Sequence, residues 1–360
     1  RCLKLGYWDS HDCGRGLDCG LMADRITSLQ VAAKAGVSQS AVSRVFTPGA
    51  SASPKTTLKV RAAAMELGYR PNILARSLIT GKSRIIGLVV AYLDNYFYPV
   101  ALEKLSNALQ AQGYHVLVFM ASNDSQSTDQ AIDELLDYQV DGIITASVGI
   151  SSDLTARCEA AGVPVVLFNR SQETTAHSAV TSNNFAGGKS VAEFFVAGNH
   201  KRIAYIGGWE GASTQRDREA GFRAGLSAAG KSLAAHALGE FNAEQAKEVA
   251  RKMFCKPEHP DAVFIATDHM AFAVMDVLRS ELGLRVPQDV SVIGYDDVPP
   301  AAWAAYDLTT VRQRANVMVQ ETVSLMLDKI RNPSSPAKHI KVDSPLVIRS
   351  SAKIPKGWTL

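Results

Sequence analysis

In the run VAAKAGVSQSAVSRVF, residues 31–46, the side chains equipped for polar chemistry include Gln39, Ser40, Ser43 and Arg44, and no acidic residue interrupts them. Glutamine and arginine each present paired hydrogen-bonding groups in one plane, and arginine adds a permanent charge. The charge balance shows what such groups face. Residues 26–84 hold nine basic side chains and one acidic, whereas residues 85–360 hold 25 basic against 30 acidic. A small segment of net charge +8 attached to an acidic body suggests a polyanionic partner. A basic solvated face has the same charge, so the local pattern must decide.

That pattern predicts three short helices. Thr27 caps the first, with Gln30 three residues later completing a capping box. Leu29, Val31, Ala32 and Ala35 form its apolar side, and Gly36 stands where a left-handed residue ends a helix. Ser38 caps a second helix whose buried stripe is Ala41, Val42 and Val45, which leaves Gln39, Ser40, Ser43 and Arg44 on the open side. Ser53 and Pro54 open a third, with Val60, Ala64 and Leu67 inward and Gly68 at its end. Two short helices, a glycine turn and a polar open face are helix-turn-helix grammar, part of which a plain helical hairpin shares.

The stretch ITSLQVAAKAGVSQSAVSRVF, followed by SPKTTLKVRAAAMELGYRPNILARSL, resembles the DNA-binding headpiece and linker of the lactose/galactose repressor family. The resemblance implies that the second helix, starting beside Ser38, enters the major groove. Gln39, Ser40 and Arg44 are then expected at base edges, and Thr27 and Ser43 at phosphates. Glutamine and arginine suit bidentate reading of adenine and guanine. The segment PNILARSL, residues 71–78, is about two turns long, too short for a stable isolated helix. The resemblance implies a hinge helix that pairs across a dimer and folds only on DNA. Leu78 is its expected minor-groove wedge. Asn72, Ala75 and Arg76 are its further DNA contacts. A flexible linker is the plain alternative.

From Ile85 the pattern changes to apolar runs: IIGLVVAYL, HVLVFMA, DGIIT, VPVVLF, RIAYIGG, AVFIATD and VSVIGYDD, most separated by helix-length amphipathic segments. Such alternation predicts parallel sheet covered on both faces. The pattern restarts near residues 182–195, which suggests two similar lobes. No phosphate-loop, nucleophile-elbow or paired-histidine zinc motif is present. The glycines of GGWEGAS, residues 207–213, do not fit dinucleotide spacing and read as a strand–helix turn. Asp296–Asp297 reads as a loop cap at a strand's C-terminal end, where open α/β sheets bind ligands. The eight histidines form no ligand pattern.

GVPVVLFNR, DREAGF, GLRVPQDVSVIGYDD and LTTVRQ resemble the periplasmic-binding-protein-like sensor of the same family. The expected fold class is therefore a small all-α helix-turn-helix headpiece plus an α/β two-lobe sensor with parallel sheets. The resemblance implies an effector site at Phe97 and Tyr98 after the first strand, Arg218 as a clamping arginine, Asp296 as an acceptor of ligand donors, and Phe241 from the second lobe. Arg170 ends a strand at the cleft. Core packing is the plain reading of the aromatics, and a surface ion pair that of Arg218. Thr267–Asp268, Asn183–Asn184 and Met120 depart from the family's usual polar groups, so no particular sugar is inherited. With Arg170 and Arg218 together, a sugar acid or phosphorylated sugar is open.

The expected divisions are an extension over 1–25, a headpiece over 26–70, a hinge over 71–83, a sensor and dimerisation unit over 84–350, and a tail over 351–360. Met22 precedes the first helix signal, and residues 1–21 read as a leader or gene-start extension. Cys2, Cys13 and Cys19, with His11, lack the paired short spacings of a metal site. Cys158 and Cys255 read as packing residues. The start has no secretory pattern and no apolar run reaches membrane-spanning length. The expectation is a cytoplasmic, nucleoid-associated homodimer on double-stranded DNA, with a carbohydrate-like effector and no cofactor or metal. No leucine heptad follows to make a tetramer. The rivals are a sugar-binding transport protein and an α/β enzyme with a DNA-binding head.

Overall fold

A computed structural model describes residues 26–47, 50–70, 82–91, 93–121, 125–148, 151–172 and 177–358. The chain divides into two units, 1–79 and 80–360.

The first unit holds α1 (Ser28–Ala35), α2 (Gln39–Phe46) and α3 (Pro54–Leu67). Each start follows its predicted cap. The Gln30 amide donates to Thr27 Oγ1 at 3.4 Å and the Thr27 amide to Gln30 Oε1 at 2.7 Å. Ser38 Oγ accepts from the Ala41 amide, and Ser53 Oγ from the Thr56 amide. Gly36 (φ +64°) and Gly68 (φ +67°) end α1 and α3 in the left-handed region. Val31, Ala32, Ala35, Val42, Val60, Ala63 and Ala64 form a miniature core. Leu29 corrects the sequence reading: it is 63% exposed. Ile26, just before the cap, packs on that core in its place, as a hydrophobic staple to Val31.

The second unit has two parallel sheets. The first runs in the order β11-β5-β4-β3-β1-β2, from β1 (Ile85–Val90), β2 (His115–Met120), β3 (Gly142–Ala146), β4 (Val165–Phe168), β5 (Ser178–Ser182) and β11 (His339–Val342). The second runs β12-β10-β9-β8-β6-β7, from β6 (Ile203–Gly207), β7 (Ala235–Leu238), β8 (Ala262–Ile265), β9 (Ser291–Asp296), β10 (Thr309–Arg312) and β12 (Leu346–Val347). All pairings are parallel except β10 with β12. Central strands are buried throughout, as near-continuous apolar runs require. The edge strands β2, β7, β11 and β12 are only partly buried, and β2 leaves Val118 and Met120 exposed.

The lobes do not divide the sequence cleanly. After β10 the chain returns to the first lobe as helix Ala315–Arg331 and β11, then crosses back to β12. Gly142 leaves room for Met326 of that helix, since a Cβ there would lie 2.4 Å from its sulfur. Three crossovers therefore join the lobes, at 182–184, 312–315 and 342–346. The segment after 350 is packed: Ser351 and Ala352 are buried, and Trp358 sits edge-on to Phe194 at 5.2 Å. Cys158 is buried as expected, but Cys255 is exposed, because it follows the last turn of helix Ala243–Phe254.

Candidate functional site

In the first unit α2 presents Gln39, Ser40, Ser43 and Arg44, all exposed, while Val42 is fully buried beneath them. Thr27 and Ser38 are also exposed. Gln39 Nε2 donates to Ser28 Oγ at 2.9 Å, and Arg44 Nε to the Ser40 carbonyl at 3.3 Å. These bonds hold both long side chains along the helix surface. The face has no carboxylate of its own, and Lys34 pairs with Glu66, the acid of α3. Asn72, Ala75, Arg76 and Leu78 lie outside the described residues.

In the second unit a cleft with about 350 Å³ of empty space, mouth included, is lined by Asn95, Phe97, Tyr98, Asn169, Arg170, Thr214, Arg218, Phe241, Thr267 and Gln313. It lies at the C-terminal ends of strands from both sheets, where this topology leaves backbone groups and loops free. Five of the six effector residues expected from sequence line it. The sixth, Asp296, stands behind the lining: its Oδ1 accepts from Gln313 Nε2 at 2.6 Å and its Oδ2 from Asn95 Nδ2 at 3.4 Å.

Unusual backbone aims these residues. Ser147 (φ +67°), Asn169 (φ +71°), Phe241 (φ +56°) and Asp296 (φ +127°) follow or end β3, β4, β7 and β9 in a region that side chains rarely occupy. Strain of this kind persists where surrounding contacts over-determine it, and it gathers at ligand sites.

Arg218 is 2% exposed. Its Nε donates to Asn184 Oδ1 at 2.8 Å and its Nη1 to the Ala266 carbonyl at 2.5 Å. Its guanidinium carbon lies 3.6 Å from the centre of the Tyr295 ring, and its Nη2 lies 3.7 Å from Asp296 Oδ1. Its helix, Ser213–Ala228, is held close to helix Asn184–Ala197 by glycines. A Cβ at Gly221 would lie 1.9 Å from the Phe185 carbonyl, and one at Gly188 would lie 2.1 Å from that of Arg218. Burial raises the Asp296 carboxyl above the ordinary range, with the Arg218 charge opposing.

The aromatic wall comes from both lobes. Phe97 stacks on Phe168 at 6.1 Å and meets Tyr98 edge-on. Tyr98 shares a hydrogen bond with Ser147 and accepts from Asn169 Nδ2 at 2.8 Å. Burial pushes its hydroxyl up to about 12. Arg170 Nη1 donates to the Ser147 carbonyl at 2.6 Å, and its guanidinium lies 5.6 Å from Trp209 and 5.7 Å from Phe241. The glycines of GGWEGAS are room for rings: a Cβ at Gly208 would meet Phe241 at 2.1 Å, and one at Gly211 would meet Trp209 at 2.2 Å.

Sequence reasoning did not assign Asn95, Asn169, Thr214, Thr267 or Gln313 to the cleft. Asn169 ends a recognisable strand run, which was a usable signal, whereas nothing local marks Thr214 or Gln313. Asp297 is structural: it pairs with Arg312 at 2.5 Å and Arg349 at 2.6 Å. Among the described residues no cluster could hold a metal ion, and no helix is long and apolar enough to cross a membrane.

A helix-turn-helix unit on the same chain as a two-lobe, periplasmic-binding-protein-like unit defines a DNA-binding regulator with a small-molecule sensor. Residues 29–72 match the bacterial regulatory proteins of the lacI family, and residues 192–352 match a periplasmic binding protein-like domain. The HTH-type transcriptional regulator CelR of Thermobifida fusca is 31% identical over 338 residues, covering 91% of this chain and 98% of that one. The ribose operon repressor of Escherichia coli K12 is 29% identical over 331 residues, covering 91% and 99%. The structure of the lac repressor dimer bound to operator and the anti-inducer ONPF matches with a TM-score of 0.82 at 27% identity, covering 91% and 99%. The chain belongs to the lacI family of transcriptional regulators; it is not an enzyme.

Proposed function

We propose that this protein is a cytoplasmic repressor that binds a near-palindromic operator as a homodimer and changes DNA affinity when a carbohydrate-like effector occupies the cleft. The relatives named for ribose and for CelR, and a CelR structure described as a cellobiose complex, support that effector class. Its working divisions are a headpiece over 26–70, a hinge over 71–83 and a sensor from 84 onward. Gln39, Ser40 and Arg44 read bases from the major groove; Thr27, Ser38 and Ser43 fix the register on phosphates. In the hinge, Leu78 wedges into the minor groove while Asn72, Ala75 and Arg76 meet the backbone.

The observation that carries the switching role is a chain of bonds between the cleft and the crossovers. Ser182 Oγ, at the first crossover, donates to Gln313 Oε1 at 2.7 Å, at the second. Gln313 in turn donates to Asp296, which faces Arg218. A ligand touching Gln313 and Arg218 therefore acts on two of the three connections that set the lobe angle. Phe97, Tyr98 and Arg170 grip it from the first lobe, and Phe241 and Arg218 from the second, with Asp296 acting through Gln313 and Arg218. Preference for one lobe angle shifts the population, and with it the spacing of paired hinges.

The test is selection of duplexes from a random DNA pool by the full chain, with and without a panel of sugars, sugar acids and nucleobases. A near-palindromic enriched site whose binding responds to one compound supports the reading. No enriched site under any condition refutes it.

A further inference from the structure

We propose that Asn95 is a lobe latch: its side-chain amide reaches from the first lobe to Asp296 of the second and favours the closed cleft through protein contacts alone. The inference goes beyond the effector reading, because it concerns the chain by itself and holds whatever molecule the cleft takes.

Besides the three crossovers, the lobes are joined by polar contacts from the segments that follow β1 and β4. Asn95 Nδ2 donates to Asp296 Oδ2 at 3.4 Å. Beside it, Asp94 Oδ2 lies 3.9 Å from Nε2 of His269, on helix Asp268–Asp276. After β4, the Ser171 amide donates at 3.1 Å to Oγ of Ser213, the first residue of helix Ser213–Ala228. Each contact runs from one lobe to the other, so each is made in one lobe arrangement and lost when the lobes separate.

Asn95 is the best prepared of the three. Its Oδ1 accepts from the Phe97 amide at 3.0 Å, at the start of helix Phe97–Ala111, so its own lobe orients the side chain and leaves Nδ2 to donate elsewhere. On the facing side Asp296 is held at φ +127°, and Gln313 Nε2 takes its Oδ1 at 2.6 Å. That leaves Oδ2 for Asn95. Both partners are oriented before they meet, so little ordering is lost on closure. A hydrogen bond to a carboxylate is also stronger than one between neutral groups.

Asn95 lines the cleft as well, so a ligand placed there touches the latch directly. A ligand that draws Asn95 away from Asp296 frees the lobes, and one that leaves the bond intact finds the closed form already made. In both cases Asn95 sets the starting ratio of lobe forms on which an effector acts.

Pulsed dipolar spectroscopy on the full chain, with no small molecule added, tests this. Cys255 of the second lobe and Gln110→Cys of the first carry the spin labels, both at exposed positions. Cys2, Cys13 and Cys19 are replaced by serine, and labelled subunits are diluted in unlabelled chain so that only intrachain pairs are read. The closed form is the population at the distance in this structure. The test substitution is Asn95→Asp, which keeps the acceptor for the Phe97 amide but turns the donor into a second carboxyl facing Asp296. At pH 8, above the value of about 6 to which burial pushes Asp296, the two acids repel, and at pH 5 they share a proton. The other charged groups around the pair, Arg218, Asp268, Asp94 and His269, are common to both proteins, so wild type at each pH is the reference. The closed-to-open ratio is expected to fall about tenfold or more below wild type at pH 8 and to recover at pH 5. Ser213→Ala, which removes a separate lobe contact, should lower it about threefold at both pH values. A ratio for Asn95→Asp that matches wild type at pH 8, or that is lowered equally at both pH values, overturns the latch. So does a wild type with no closed population.

Discussion

Asp268→Asn should flatten the pH dependence of stability on the alkaline side. Asp268 begins the helix that follows Thr267 in the cleft and is wholly buried. Its Oδ1 accepts from the Thr310 hydroxyl at 2.6 Å and its Oδ2 from the Val298 amide at 3.0 Å. Gly294 makes room for it, since a Cβ there would lie 2.3 Å from Oδ1. Burial, and then the neighbouring Asp296 charge, push its carboxyl up to about 8. The folded chain therefore keeps a proton that the unfolded chain releases near pH 4, the ordinary carboxylate value. As pH rises toward 8, that difference costs stability at up to about 1.4 kcal/mol per pH unit. Between pH 6.5 and 8 the loss is about 2 kcal/mol, or roughly 3–4 °C in melting temperature for a unit of this size.

His177, His200 and His269 are pushed down by burial, so they act below their usual value and leave this window to the carboxyl. Asparagine copies the neutral acid: its oxygen can accept from Val298 and its amide can donate to Thr310 Oγ1. The assay is calorimetric melting of both proteins from pH 6.5 to 8. The wild-type midpoint should fall while that of the variant stays level. Equal slopes in the two proteins would falsify the assignment of the buried proton to Asp268.

Further expectations concern the headpiece, the hinge and the lobes. Arg44→Ala should lose about 1–3 kcal/mol of discrimination per half-site, measured as specific against scrambled-duplex affinity; retained preference rules out base reading by this residue. Leu78→Ala should reduce DNA bending in a circular-permutation or energy-transfer assay, and unchanged bending rules out the wedge. Gly221→Ala forces two packed helices apart, because the added Cβ would lie 1.9 Å from the Phe185 carbonyl oxygen. It should cost at least about 1–3 kcal/mol in urea unfolding and weaken effector binding through Arg218, one turn earlier. A neutral result there means the helices are not held as described.

Much of the headpiece was legible because its signals are local. Thr27 with Gln30, Gly36, Ser38, Ser53 with Pro54 and Gly68 all act within one helical turn of themselves, and every one caps or ends a helix as expected. Leu29 failed because its burial depended on where the third helix packs, and Ile26 took that place. In the sensor the apolar runs announced the central strands. The short strands β5, β7, β10, β11 and β12 carried too little pattern to be seen, and the return of residues 315–342 to the first lobe had no local mark.

The sequence by itself determined the helix-turn-helix, its exposed polar face, the alternating α/β body and five of the ten residues around the cleft. Those follow from capping, periodicity and charge, which operate over a few neighbouring residues. Only the tertiary structure decided that Asp296 stands behind Gln313, that Asn169 keeps an open acceptor, and that two arginines enter one cleft from opposite lobes. Asn95 reaches Asp296 across 201 positions and Ser182 reaches Gln313 across 131. Contacts at such separations arise from how two sheets and three crossovers close on each other, and no short-range propensity encodes them.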